Sequence, residues 1–178
     1  MKEIYLISPA TIKSLTNIDE NVHEKFLVSA IRESQNVALQ TCIGTSLLNK
    51  LKNLIEIGEI DLPANAKYKE LLDNYITYFL MYQTISKLIP IIGFKLDNIG
   101  VFTTSDEHVQ QVSFKNVFEM QEYYTQQASF YLKRLEDFLK SNKADYPELE
   151  DCFGMQPELN SSEQYSCLFL GGKRGRKL

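Results

Sequence analysis

The chain has 178 residues, a length typical of one domain with an appendage. Hydrophobic residues make up 44% of it, which excludes wholesale disorder, and the formal net charge of −4 argues against general polyanion binding by the whole molecule. Ten Tyr and ten Phe, with no Trp, indicate extensive aromatic packing or aromatic interfaces.

The first part of the chain predicts one arm and one long helix. We interpret residues 1–16 as an extended arm with a turn at Ser8, and the capping-box spacing of Asn17 and Glu20 predicts that a helix begins there. Gly44 is expected to end this helix in a left-handed conformation. Its predicted apolar face comprises Val22, Phe26, Ala30, Ser34 and Val37.

Two further helices follow at helical apolar spacing. The second runs from Thr45 to Gly58, and the third follows Pro63 and is expected to end between Pro90 and Gly93. The third helix is apolar around almost its whole circumference, which is typical of a helix buried on several sides. Its stripe comprises Tyr68, Leu71, Leu72, Tyr75, Phe79, Tyr82, Ser86 and Ile89.

A long arm precedes the fourth helix. Residues 94–112 are interpreted as a loop arm, with a short strand or hairpin at 100–104, and Ser113 opens a helix that ends near Ser141. Tyr123 and Phe130 lie off the apolar stripe of this helix, and exposed aromatic side chains mark protein interfaces. The stripe itself comprises Phe114, Val117, Phe118, Tyr124, Ala128, Tyr131, Leu135 and Phe138.

These elements predict a mostly α fold: a bundle of about four principal helices with a long loop or short β arm and an extended C-terminal tail. We place the helical domain at residues 1–142 and the C-terminal extension at residues 143–178. In the extension, an acidic stretch at 145–163 precedes an apolar patch, and the last eight residues hold four basic side chains and no acidic one. The candidate partner-binding residues are Leu168, Phe169, Leu170, Lys173, Arg174, Arg176 and Lys177.

No familiar catalytic or metal-binding motif occurs in the chain. G-x-S-x-G, H-E-x-x-H and P-loop patterns are absent, and Cys42, Cys152 and Cys167 form no C-x-x-C pair. His23 and His108 stand in no recognisable nucleophile or metal pattern. We therefore expect no enzymatic activity, no cofactor and no metal. The apolar runs are too short for a signal peptide or a membrane span, so we expect no membrane contact.

Several runs resemble the opening of tailed-phage head–tail connector (adaptor) proteins, above all those of crAss-like Bacteroides phages. The runs are Leu6-Ile-Ser-Pro, Asn17-Ile-Asp, Ser29-Ala-Ile-Arg-Glu-Ser-Gln, Ile43-Gly-Thr-Ser-Leu, Leu48-Asn-Lys-Leu, Tyr68-Lys-Glu-Leu-Leu and Lys95-Leu-Asp-Asn-Ile-Gly-Val. The resemblance spans about residues 4–140.

The resemblance implies a structural virion protein at the head–tail junction, made in the cytoplasm of the host bacterium. Proteins of this kind form rings, commonly of twelve copies, that dock beneath the portal protein, extend the DNA channel and offer a platform for the next tail component. DNA passes through without sequence-specific binding.

We further expect ordering that is coupled to assembly: residues 94–112 and 143–178 are expected to be mobile in the free subunit and to gain order when neighbouring copies bury the apolar patch at 168–170. Truncation at Asn142 is then expected to leave the bundle folded and to weaken ring contacts. Arg174 and Arg176 are expected to face an acidic partner surface or phosphates. One alternative is a small helical DNA-binding or packaging protein that acts through its basic C-terminal tail, for which DNA affinity would depend steeply on salt. Two others are an enzyme with an unfamiliar site, for which a saturable ligand would raise the melting temperature, and a cellular helical regulator, for which small closed oligomers are expected.

Overall fold

The computed structural model describes residues 3–97, 100–103 and 114–149. Within these ranges the chain is mostly helical, as predicted. The helices are α1 Pro9–Leu15, α2 Glu24–Glu33, α3 Gln40–Glu56, α4 Ala66–Leu71, α5 Thr77–Gly93 and α6 Phe114–Ser141. Two short strands, β1 Phe94–Asp97 and β2 Gly100–Thr103, pair antiparallel with Phe94 opposite Thr103. Short 3₁₀ turns occupy Pro63–Asn65, Lys143–Asp145 and Pro147–Leu149.

Two π turns fuse neighbouring helices into longer rods. Ser34–Leu39 joins α2 to α3, and Leu72–Ile76 joins α4 to α5. Together with a break at Gly44, they produce four long rods at residues 24–43, 45–56, 66–93 and 114–141. The prediction of four principal helices is therefore confirmed.

Gly44 forms the break between the first two rods. Its φ of 79° and ψ of 168° lie in a region that only glycine occupies without strain, so the backbone can turn here and start a new helical direction. Gly58, with φ of 72°, ends α3 in the same half of conformational space. Both glycines act where the sequence predicts helix ends.

Helix α5 lies between the other rods and carries the core. Tyr82 and Ser86 face α6, where the Ser86 hydroxyl lies 2.9 Å from Thr125 Oγ1. On another side of α5, Lys87 forms a 2.7 Å ion pair with Glu33 of α2. The buried core includes Leu27, Ile31, Leu39, Leu51, Leu71, Ile76, Phe79, Leu80, Leu135 and Leu139. This placement agrees with the apolar circumference predicted for this helix.

The start of the chain differs from the predicted extended arm. Ser8 caps α1, accepting a 3.0 Å hydrogen bond from the Thr11 amide, and Pro9 occupies the first helical position. The predicted capping box at Asn17 is not used, because α2 begins at Glu24 with His23 as its N-cap. The prediction was wrong here because Ser-Pro is itself a helix start.

The first π turn also overturns one predicted core position. Val37 was expected on the buried face, but it is 61% exposed, whereas Leu39 is fully buried. A π turn adds one residue to the helix path, which rotates every later side chain by about 100°. The 3.6-residue pattern that holds through Ala30 and Ser34 therefore loses register within the turn.

The same turn holds the N-terminal segment by a buried amide. The Leu6 amide donates a 2.8 Å hydrogen bond to Gln35 Oε1, and Gln35 Nε2 donates a 3.0 Å hydrogen bond to the Ile4 carbonyl. Glu3 accepts hydrogen bonds from Arg32 at 2.7 Å and Asn36 at 2.8 Å. Partial burial opposes ionisation of Glu3, but these donors together with Tyr5 lower its pKa overall. We call this arrangement the Gln35 clamp.

The packed body extends beyond the predicted domain boundary at Asn142. Tyr146 is 1% exposed and Leu149 is fully buried. The Tyr146 hydroxyl donates a 2.9 Å hydrogen bond to the Lys67 carbonyl, and its ring lies edge-on against Tyr68. Residues 143–149 thus belong to the bundle, and the rest of the extension, like 98–99 and 104–112 of the loop arm, lies outside the described residues.

Replacing Gln35 by Ala is expected to lower the free energy of unfolding by about 2–4 kcal/mol, because two backbone groups lose their buried partners. Chemical denaturation followed by circular dichroism measures this. Gln126→Ala, on an exposed position of α6, is the matched control and should change stability by no more than about 0.5 kcal/mol. Equal effects of the two substitutions would contradict the clamp.

Truncation after Asn142 is expected to destabilise the bundle by about 3–5 kcal/mol, because it removes two buried side chains, Tyr146 and Leu149. Truncation after Leu149 keeps both buried side chains, so this chain should have a clearly higher unfolding midpoint than the chain of residues 1–142. Thermal unfolding of both truncated chains tests this. If the chain of residues 1–142 were as stable as the chain of residues 1–149, the packing of residues 143–149 would contribute nothing.

Candidate interface on helices α5 and α6

Aromatic rings line the contact between α5 and α6 in two groups. In the first group, Tyr75 stacks on Phe138 with centroids 4.0 Å apart, and Phe138 contacts Tyr146. In the second group, Tyr82 stacks on Tyr131 at 5.1 Å. Because Tyr75 and Tyr82 both stack on rings of α6, they lie on the side of the rod that faces this helix.

Three rings extend the second group into solvent. Tyr78 stacks on Tyr131 at 5.6 Å, and Phe130 lies edge-on against the same ring at 5.3 Å. Tyr123 lies edge-on against its neighbour Tyr124 at 5.3 Å. The exposed fractions are 39% for Tyr78, 56% for Tyr123 and 62% for Phe130. We call Tyr78, Tyr123 and Phe130 the exposed aromatic face.

This face is free of charge in an otherwise charged helix. Residues 123–132 of α6 contain no Asp, Glu, Lys or Arg, whereas both flanks of the helix carry ion pairs such as Lys115–Glu119 and Lys133–Asp137. Burial raises the pKa of Tyr82, and neighbouring tyrosines raise it further, so that its hydroxyl stays neutral. An uncharged aromatic surface with charged flanks has the composition of a protein interface core and rim.

Helical spacing in the sequence correctly placed Tyr123 and Phe130 off the core stripe. It did not identify Tyr78, and it placed Phe118 on the wrong side of its helix. Tyr78 was not predicted, although its three- and four-residue spacing from Tyr75 and Tyr82 signals a shared side of the helix. Phe118 was expected in the core and is 56% exposed. It lies six residues before Tyr124, a spacing that turns it about 120° away from the buried stripe.

The predicted partner-binding residues fall in a part of the chain that the structure does not describe. Leu168, Phe169, Leu170, Lys173, Arg174, Arg176 and Lys177 lie outside the described residues, as does His108. His23 is exposed and caps α2, accepting a 3.3 Å hydrogen bond at Nδ1 from the Lys25 amide. Among the residues that the structure describes, no group of three or more His, Cys, Asp or Glu side chains is placed to hold a metal ion.

One surface groove lies on the first rod, near the break at Gly44. It has a volume of about 500 Å³ and contains uncharged polar side chains together with the exposed Val37. Gln40 Nε2 donates a 3.0 Å hydrogen bond to Thr45 Oγ1 across the break, so the polar lining is partly satisfied within the chain. The groove has no charged or deeply buried polar group that would select a ligand.

No helix in the described part of the chain is long and apolar enough to cross a lipid bilayer.

A family model described as a family of unknown function (DUF6712) matches residues 39–156, about two thirds of the chain, and the chain belongs to this family. The match includes α3 to α6, so the exposed aromatic face lies within the part that defines the family. No curated protein and no solved structure gives a significant match.

Tyr68, whose ring contacts Tyr146, makes the stability of the folded state depend on pH in the alkaline range. Tyr68 donates hydrogen bonds to Glu148 at 2.9 and 3.1 Å, and burial together with this carboxylate raises the pKa of Tyr68 from 10.0 to about 12. The folded state favours the neutral hydroxyl, so this contribution is complete below pH 10 and is lost as the pH rises through about 12.

Tyr68→Phe is therefore expected to lose stability less steeply than the unsubstituted chain between pH 10 and 12, with the two curves converging by about 2 kcal/mol. Denaturant unfolding at half-unit pH steps measures the difference. Parallel curves across this range would contradict the assignment.

Proposed function

We propose that this member of the DUF6712 family is a structural virion protein: a subunit of a head–tail connector (adaptor) ring in a tailed phage. The observation that carries the proposal is the exposed aromatic face, Tyr78, Tyr123 and Phe130, on the two longest rods. Exposed aromatic rings grouped on one side of two packed helices are costly for a lone subunit and useful where copies meet.

The resemblance to connector proteins adds support because its residues occupy determining positions of this fold. Leu6 and Gln35 are the two ends of the clamp on the N-terminal segment. Gly44, within the Ile-Gly-Thr run, makes the break between the first two rods. The similarity therefore includes residues that specify the architecture, in addition to surface positions that any helical protein could share.

The proposed ring has the following partners. Copies of the chain, about twelve as the resemblance implies, contact one another through the exposed aromatic face, and the ring docks on the portal protein on one side and on the next tail component on the other. An acidic chain, with a net charge of −4, suits a channel that DNA must traverse without sequence-specific binding. The loop arm at 94–112 and the extension with Leu168, Phe169, Leu170, Lys173, Arg174, Arg176 and Lys177 are proposed contacts to neighbouring subunits or the portal.

The double variant Tyr123→Ser/Phe130→Ser is expected to weaken assembly at least about 30-fold, since truncating a central aromatic contact costs about 2 kcal/mol or more. Sedimentation velocity over a concentration series, with and without the portal protein, measures assembly. Neither residue belongs to the buried core, so the double variant should still fold and unfold cooperatively, which thermal unfolding checks.

Phe118→Ser is the matched control. Phe118 is as exposed as Tyr123 but points about 140° away around α6. It should assemble like the unsubstituted chain. Normal assembly of the double variant, or equal loss in the control, would contradict the proposed interface. A monomer that ignores the portal but binds DNA with steep salt dependence, lost on removing residues 171–178, would favour the alternative of a DNA-packaging protein.

A further inference from the structure

No element that the structure describes covers the exposed aromatic face. Tyr123 and Phe130 are more than half exposed, and they lie in the charge-free window of α6 at 123–132. A newly made subunit that left this surface in water would associate nonspecifically. A segment of the same chain that covered this face would protect the free subunit from such association.

The C-terminal extension contains an apolar segment of suitable size at a suitable distance. The described chain stops at Leu149, next to Tyr146, which contacts Phe138 of α6. From Phe138, the helical rise places Phe130 about 12 Å and Tyr123 about 22 Å away. Residues 150–166 form a connection of 17 residues before Cys167–Leu170.

The length of this connection favours contact within one chain. Seventeen residues can span at most about 56–61 Å, so the segment can reach the 12–22 Å to both rings without leaving its own chain. A tethered segment that can reach its site is present there at an effective concentration of about the millimolar range. A second copy would need a comparable concentration in solution to compete.

The order of charges along the C-terminal extension indicates the direction in which the extension would run along α6. Along α6 from its C-terminal end, residues 133–141 carry three basic side chains against two acidic ones, 123–132 carry none, and 115–122 carry two acidic against one basic. The extension has the complementary order: residues 150–163 carry four acidic and no basic side chains, 167–170 are apolar, and 173–177 carry four basic ones. An extension that ran back antiparallel along α6 would therefore oppose unlike charges at both flanks.

We infer that Cys167–Leu170 lies on the exposed aromatic face of its own chain in the free subunit, covering Tyr123 and Phe130 until a neighbouring copy displaces it. The inference goes beyond the proposed function, because it concerns the free chain and holds whether or not rings form. Under it the apolar segment already has a place before assembly, and assembly transfers it to another surface.

The absence of Trp makes a direct test possible. Phe169→Trp places a single indole in the covering segment of the full chain. Its fluorescence emission should lie at the wavelengths of a buried indole, and acrylamide should quench it weakly. Adding Tyr123→Ser and Phe130→Ser should shift the emission to that of a solvated indole and raise the quenching constant to its value in denaturant.

Two controls test whether the exposed aromatic face of the same chain is the surface that protects the indole. Adding Phe118→Ser instead should leave emission and quenching unchanged, because Phe118 lies on another side of α6. Dilution across the concentration range in which the chain sediments as a monomer should also leave emission and quenching unchanged. A solvated indole in the parent variant, protection that survives the face substitutions, or protection that disappears on dilution would each overturn the inference. Ring formation is measured separately by mass, so failure here does not count against the connector proposal.

Discussion

The burial of helix α5 is the constraint on which the rest of the structure depends. Its apolar residues surround almost its whole circumference, so it needs helices on more than one side. The first rod covers one side and α6 covers another, with the hydroxyls of Ser86 and Thr125 paired within that contact. Helix α6 packs chiefly on α5, so the outer flank of its aromatic contact stays in water. The surface proposed for assembly thus follows from how the core is built.

Irregular backbone then fixes the ends of the chain to this core. The π turn at Ser34–Leu39 brings Gln35 to the N-terminal segment, where one amide side chain satisfies backbone groups of Ile4 and Leu6. At the other end, Tyr146 fills the space beside Tyr68 and Phe138. Both ends are held by contacts between residues far apart in sequence, which explains why the packed body spans residues 3–149 in the described ranges.

Local patterns predicted the features that depend on local physics. The four rods, the breaks at Gly44 and Gly58, and the separation of Tyr123 and Phe130 from the core stripe all follow from helical periodicity and glycine conformations. What periodicity could not supply is a change of period. A π turn leaves no reliable mark in the sequence, so Val37 was assigned to the wrong side of its helix.

Long-range packing was the second source of error. Nothing near Gln35 in the sequence indicates a partner 29 residues away, and nothing near Tyr146 indicates burial 79 residues from Lys67. The sequence therefore predicted only the residues of the candidate interface that lie on α6. Tyr78 on α5 was identified from its contact with Tyr131, which depends on how the two helices pack. The exposed aromatic face forms where the aromatic residues of α5 pack beside those of α6.

The most direct test of the central proposal, that this chain forms a connector ring, is the native mass of the purified chain alone and mixed with the portal protein of the same phage. A large stable complex that holds many copies of the chain on each portal ring is the predicted result, and its mass gives the stoichiometry. A monomer or dimer whose mass is unchanged by the portal protein would contradict the account.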